Sequence, residues 1–488
     1  MSLVTFLSLF LPVLVACQQA PTVQTTSGLL QGSYPHKDVT AYLGIPYAQP
    51  PIGDLRFAPP QPLPATNGSQ VRDCYRSSPG CFQLDYITAF ADRSTGIAES
   101  EDMLSINIWK PTNANGSLPV MIFIHGGAFT SGANGMTAYN GLEFVKRQKD
   151  IIFASINYRV NVFGFPNTPA VPEKNLGLLD QRLAVEWLRD NIKAFGGDPD
   201  RMVLSGHSAG SISVAYWSFA YVEDPIVKGF IETSGQPGLV ATDDGTSWPA
   251  IANTTNCTND NKEVELECIR KVPARSLKRA MSPNNTPAVT DTVISGGTPI
   301  VDNTTVFSLE EYASRRASGK FAKLPLLVSN TISEADGFLP FDPVSGVNTT
   351  LSDLLTLVMH HCPVAVASNA TAYAGVPTWR YLYAGAFPEQ LPYPWMRPFH
   401  GSDNQLILGK VEEAAYEDVS AEMEKAEGYL IDAIGAFVRD PQSGLSKYGW
   451  PKYEAGSKTL VKLFGNETAG VEFVDPASYD AACSSLGM

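Results

Sequence analysis

A serine with glycines two places before it and two after, Gly206-His207-Ser208-Ala209-Gly210, offers a start for nucleophilic chemistry. A hydroxyl needs three aids to act: a sharp turn that exposes it, a base that takes its proton, and a carboxylate that orients the base. The turn follows if residues 201–205, apolar at Met202-Val203-Leu204, form a strand and the small-residue stretch 211–215 opens a helix, because the glycines let strand and helix pack closely. Ser208 is then the candidate nucleophile. The base must come from six histidines. His36 precedes the sheet, His125 lies in a glycine motif, His207 is bonded to the nucleophile and should point away, and His360-His361 read as a helix end. His400 remains, on a loop after the strand-like residues 378–383. The acid belongs between serine and histidine, at the carboxyl end of a strand. Residues 323–330 read as a buried strand running into Thr331-Ile332-Ser333-Glu334-Ala335-Asp336, where Glu334 is the chosen carboxylate and Asp336 the alternative.

Such groups work only when one sheet holds them at one edge. Residues 118–124 are a hydrophobic run ending in His125-Gly126-Gly127-Ala128-Phe129, whose glycines free the amides of Gly127 and Ala128 to join that of Ala209 as an oxyanion hole. Strand-like and helical stretches alternate from about 118 to 235, as a mostly parallel sheet requires. The order serine, acid, histidine is that of the α/β-hydrolases, so the expected fold is a large, mostly parallel central sheet flanked by helices. Residues 241–320 are rich in Asn, Thr, Pro and Gly, with an amphipathic helix near 308–318, and read as a helical insertion walling the active site. Residues 421–437 carry apolar side chains at helical spacing and should pack on the sheet. No repeat, charge run or low-complexity linker divides the 488 residues, so 21–488 read as a single domain.

The chain resembles the type-B carboxylesterase/lipase family, which includes fungal extracellular lipases and cholinesterases. Besides the elbow, the matching stretches are Tyr42-Leu43-Gly44-Ile45-Pro46-Tyr47-Ala48-Gln49-Pro50 through Phe57, Ser100-Glu101-Asp102-Met103-Leu104, Asn175-Leu176-Gly177-Leu178-Leu179-Asp180-Gln181-Arg182, Asn191 through Pro199, His400-Gly401-Ser402-Asp403 and Trp450-Pro451-Lys452-Tyr453. The resemblance implies the triad Ser208, Glu334 and His400, the oxyanion hole Gly127, Ala128 and Ala209, and a structural ion pair of Arg56 with Glu101. It also implies a Cys257–Cys268 disulfide. The family's first bridge is broken, because Cys81 fits one end while Met103 occupies the other; Cys74 is an alternative partner for Cys81. Cys362 and Cys483 pair only by elimination and would be equally ordinary as buried thiols. The sequence departs from the family at His207, where glutamate is usual, at Ala128, where a third glycine is common, and at Ala335, where glycine often follows the acid. Phe129, His207, Ser234, Trp248 and Phe338 are expected to line the substrate pocket.

Residues 1–17 read as a signal peptide, apolar from Leu3 to Ala16 and cleaved near 17–20, although no Lys or Arg precedes the apolar run. Asn67, Asn115, Asn253, Asn256, Asn284, Asn303, Asn348, Asn369 and Asn466 each head an Asn-x-Ser/Thr sequon, which suits a secreted, extracellular glycoprotein. Loss of Cys17 from the seven cysteines leaves an even six.

The net charge of −14 argues against nucleic acid as a partner. No phosphate-binding glycine motif is present, and the contiguous His360-His361-Cys362 lacks metal-ligand spacing, so neither metal nor cofactor is expected. The partner implied is a small-molecule ester, with no stable membrane insertion and the oligomeric state left open. His400 would take the Ser208 proton, the serine would form an acyl-enzyme, and water would release the acid. If a second alcohol replaced the water, the same acyl-enzyme would serve acyl transfer or lactone processing. A neuroligin-like, non-catalytic adhesion role is the remaining alternative.

Overall fold

The structure is a computed structural model describing residues 19–64, 71–83, 97–114, 116–240, 242–281 and 297–487. The expected signal peptide and the sequons at Asn67, Asn115 and Asn284 lie outside the described residues.

An 11-stranded sheet organises the chain. Its strands are β1 (Ser33–His36), β2 (Val39–Pro46), β3 (Ser105–Pro111), β4 (Leu118–Ile124), β5 (Ile152–Ile156), β6 (Gly197–His207), β7 (Phe230–Thr233), β8 (Leu326–Thr331), β9 (Thr378–Tyr383), β10 (Leu460–Leu463) and β11 (Val471–Val474). Across the sheet they run β11-β10-β9-β8-β7-β6-β4-β5-β3-β2-β1. From β10 to β5 all neighbours are parallel; β11 and the β1–β3 edge pair antiparallel. The sheet is therefore mixed, with a parallel centre. Parallel strands need crossovers, and these are helical: α1 (Leu176–Asn191) leads into β6, and α2 (Ala209–Ala220) leaves it.

Period-two alternation divides the core between the faces. Met202 and Leu204 of β6 pack with Val185, Leu188 and Ile212 on one face. Val203 packs with Met121, Ile434 and Phe437 on the other. Each such fully buried side chain contributes roughly 1.5–3 kcal/mol.

Between β7 and β8 lie α3 (Ser247–Thr254), α4 (Lys262–Lys271), α5 (Ala274–Met281) and α6 (Leu309–Ala317). Ser308 caps α6 by accepting the Glu311 amide at 3.1 Å, so the helix expected near 308–318 starts one residue later, at Leu309. Residues Thr349–Tyr373 form one helical run long and apolar enough to cross a membrane, yet Val364, Ala365 and Ser368 are buried within the fold. It comprises α7 (Thr349–Thr356), a π-helical turn at Leu357–His361, and α8 (Cys362–Tyr373). His360 and His361 thus sit mid-run, not at a helix end. Helix α9 (Ala421–Arg439) extends past the expected 437 and is capped by Ser420.

Disulfides join Cys257 to Cys268 and Cys362 to Cys483. The Cys74–Cys81 alternative is overturned: both are buried free thiols. Backbone bonds from Cys74 to Gln31 and Leu43 fix it beside other strands, while Cys81 Sγ faces the Val160 carbonyl at 4.0 Å.

Candidate active site

The sheet's central parallel strands converge on Ser208. β6 ends at His207 and α2 begins at Ala209, so strand becomes helix through one residue, Ser208, whose φ of 56° and ψ of −122° are strained for any L side chain. Space explains the glycines. A Cβ on Gly206 would enter the Gly210 backbone, and one on Gly210 would strike the Ile124 carbonyl at the end of β4. Gly126, on the following loop, lies so close that its Cβ would stand 2.9 Å from that of Ser208. Gly127 and Ala128 follow with positive φ of 113° and 53°. The Gly127 carbonyl accepts the Thr130 and Ser131 amides at 2.9 and 3.0 Å, closing a tight turn. Gly127, Ala128 and Ser208 all keep part of their surface open, while Ala209 is fully buried.

The candidate acid follows the end of β8. Glu334, with no exposed surface, accepts the Thr331 amide on Oε1 at 2.7 Å and contacts His400 Nδ1 through Oε2 at 2.5 Å. One oxygen is thereby held by backbone while the other orients the ring. Asp336, the alternative, is committed elsewhere: its carboxylate pairs with Arg397 at 2.7 Å and accepts from Ser352 at 2.6 Å. His400 precedes Gly401, whose φ of 88° turns the chain, and a Cβ there would sit 3.1 Å from the His207 ring. His400 Nε2 has no hydrogen-bond partner among the described residues.

Three rings surround that of His400: His207 at 4.7 Å, Phe338 at 4.8 Å and His360 at 5.5 Å between centroids. Burial, then repulsion from His400, pushes His207 down to about 3, so the residue beside Ser208 is neutral. Burial likewise pushes His360 down to about 4 against the pull of Glu334. Burial works against ionisation of Glu334, but His360, His400 and the hydrogen bonds outweigh it and hold the carboxyl well below the usual range. Asp403 is pushed up to about 7 by burial and by Glu334, with Tyr381 donating to it at 2.8 Å.

A model of the carboxylesterase family matches residues 19–346. The chlorogenic acid esterase of Aspergillus niger is 36% identical over 94% of this chain and 93% of its own. The chain belongs to the carboxylesterase family. Secreted lipase 5 of Gibberella zeae is 33% identical over 90% of each chain. A solved structure of PNB esterase superposes with a TM-score of 0.80 at 25% identity, covering 93% of this chain and 97% of that one. This carboxylesterase is accordingly a carboxylic ester hydrolase with the α/β-hydrolase fold.

Of the pocket residues expected from sequence, the structure brings His207 and Phe338 against His400, and Ser234 beside Glu334. Phe129 and Trp248 are corrections. Phe129 is wholly buried against Phe165 and Tyr216; Trp248 is 2% exposed, edge-on to Phe57, with its indole N–H donating to Glu265 at 2.9 Å. Neither offers surface to a substrate, and Ser234, also wholly buried, offers none either. Arg56 and Glu101 form a two-pronged ion pair at 2.6 Å, and Arg56 also donates to the Arg270 and Val272 carbonyls, tying α4 to the N-terminal region. Sequence reasoning missed His360 and Asp403. His360 gave no signal, since its partner Glu334 is brought to it only by the pairing of distant elements; Asp403 gave a faint one, three residues after the histidine.

Proposed function

We propose that this carboxylesterase is a secreted enzyme that hydrolyses esters through Ser208, Glu334 and His400 and an acyl-enzyme intermediate. The observation that carries the reading is the 2.5 Å contact between Glu334 Oε2 and His400 Nδ1, which puts the histidine proton on Nδ1 and frees Nε2 as the base. Nε2 takes the Ser208 proton, Oγ attacks the ester carbonyl, and His400 returns the proton to the leaving alcohol. Water, deprotonated by the same nitrogen, then releases the acid. The hydrogen bond from Ser208 to His400 forms with substrate in place. The amides of Gly127, Ala128 and Ala209 stabilise the oxyanion, each worth roughly 10²- to 10³-fold in rate.

The Aspergillus niger relative is a chlorogenic acid esterase, which supports a small-molecule ester as the substrate of this chain. Secretion is supported by two disulfides and by the exposed sequon residues Asn253, Asn256, Asn303, Asn348 and Asn369. A fluorophosphonate probe tests the mechanism: one adduct per chain, mapped to Ser208 and absent from Ser208→Ala, is expected. Labelling of the folded protein at any other serine would overturn it.

A further inference from the structure

Glu334 faces two histidines, and the proposed hydrolysis uses only one. The second, His360, is presented by the π-helical turn at Leu357–His361, a rare helical form that recurs at functional sites. The Cys362–Cys483 disulfide anchors the chain two residues later. His360 is 3% exposed, and its Nδ1 has no hydrogen-bond partner among the described residues. That nitrogen stands 3.8 Å from Glu334 Oε1, beyond hydrogen-bond reach, although the carboxylate is beside it. Donor atoms of Glu334, His360 and His400 all lie within 4.8 Å of one another.

We propose that Glu334, His360 and His400 form a binding site for a divalent transition-metal ion, with zinc as its cation, and that occupancy reversibly switches the hydrolase off. Two imidazoles and one carboxylate, with a fourth position left for water, make up a known zinc ligand set. Bonds of about 2.0–2.2 Å in a tetrahedron require ligand atoms roughly 3.4 Å apart. His360 Nδ1 stands 3.8 Å from Glu334 Oε1, within a few tenths of an ångström of that spacing; His400 Nδ1 is 2.5 Å from Oε2 and draws back from it, and the widest separation among the three donors, up to 4.8 Å, closes by about 1.4 Å as the rings turn onto the ion.

Inhibition follows from the tautomer, and so rests on the triad reading. In the active form the proton is on His400 Nδ1. A metal ion takes the Nδ1 lone pair, the proton moves to Nε2, and no covalent bond to Ser208 forms or breaks. An Nε2–H cannot accept the serine proton. The bond from Nδ1 to Glu334 is replaced by two bonds to the metal.

The test uses the full chain, first treated with chelator. Zn²⁺ is titrated against ester hydrolysis, and Co²⁺ against visible absorption. Inhibition that chelator reverses, one ion per chain and the intense bands of tetrahedral cobalt are expected. His360→Gln should bind Co²⁺ and respond to Zn²⁺ at least tenfold more weakly than the parent, with each protein's zinc response read relative to its own metal-free rate. His361→Gln, the adjacent control, should respond like the parent. Equal zinc sensitivity in His360→Gln, or no zinc inhibition of the parent, overturns the site. Should His360→Gln fail to fold, His360→Asn serves the same comparison. Fluorophosphonate labelling separates the two readings: Ser208 labelled equally with and without Zn²⁺ sinks the metal site and leaves the hydrolase, whereas no labelling of metal-free enzyme sinks the triad while cobalt absorption still reports the ion.

Discussion

Glu232 is a carboxylate in the middle of the sheet, on β7, opposite Gly206 of the strand that carries the elbow. It is 4% exposed, and Gln236 donates to it at 2.5 Å. Burial, only partly offset by Gln236 and by the Arg316 charge, pushes its carboxyl from 4.5 up to about 7. Because the folded value lies above the unfolded one, the native state holds an extra proton between about pH 4.5 and 7. Stability from this group is therefore complete below pH 4.5 and is lost as pH rises through 7. Moving the carboxyl from 4.5 to about 7 corresponds to about 3 kcal/mol. Glu232→Gln removes the titration, retains an acceptor for Gln236 and preserves the shape. With an unfolding entropy near 2.1 cal/mol/K per residue, a chain of this length gains roughly 1 °C in Tm per kcal/mol. Scanning calorimetry should therefore show the variant matching the parent at pH 4 and exceeding it by about 3 °C at pH 8. A Tm difference that stays the same from pH 4 to pH 8 would refute the assignment.

Glu334→Gln keeps an acceptor for Thr331 but turns an amide N–H toward His400, imposing the wrong tautomer. Turnover of a chromogenic ester should fall about 10⁴-fold with little change in Tm, and a loss under tenfold would contradict the triad. Loop-closure entropy makes the two disulfides unequal, since Cys362–Cys483 spans 121 residues and Cys257–Cys268 spans 11. Paired Cys→Ser changes should cost about 5 and about 3 kcal/mol respectively, ranked by chemical denaturation. Gly210→Ala would press a methyl group into the Ile124 and His125 carbonyls, the latter 2.9 Å away. Destabilisation of roughly 1–3 kcal/mol, with a loss of kcat from the displaced elbow, is expected from paired denaturation and kinetic measurements.

Local rules made much of this protein legible in its sequence. The elbow was readable because only glycine tolerates the contacts at 206 and 210, so the constraint is written into two positions four residues apart. Glu334 and His400 were readable because each follows a run of buried strand residues, and a strand end in a parallel sheet is where a loop can carry chemistry. The apolar run into the elbow read as a strand, and strand-like stretches taking turns with helical ones from about 118 to 235 read as a mostly parallel sheet. Other features depended on distances between remote segments. Asp336 and Glu334 are equivalent in sequence, and only the approach of Arg397 and Ser352 assigns Asp336 to loop anchoring. Phe129 and Trp248 occupy pocket-like places in the chain but are enclosed by Phe165, Tyr216 and Phe57, because apolar rings fill whatever space the core leaves. Free Cys74 and Cys81, bridged Cys362 and Cys483, and His360 beside Glu334 were decided in the same way. Hydrogen bonding and periodicity act over a few residues and leave a pattern, whereas meetings between segments far apart are set by the packing of the whole core and leave none.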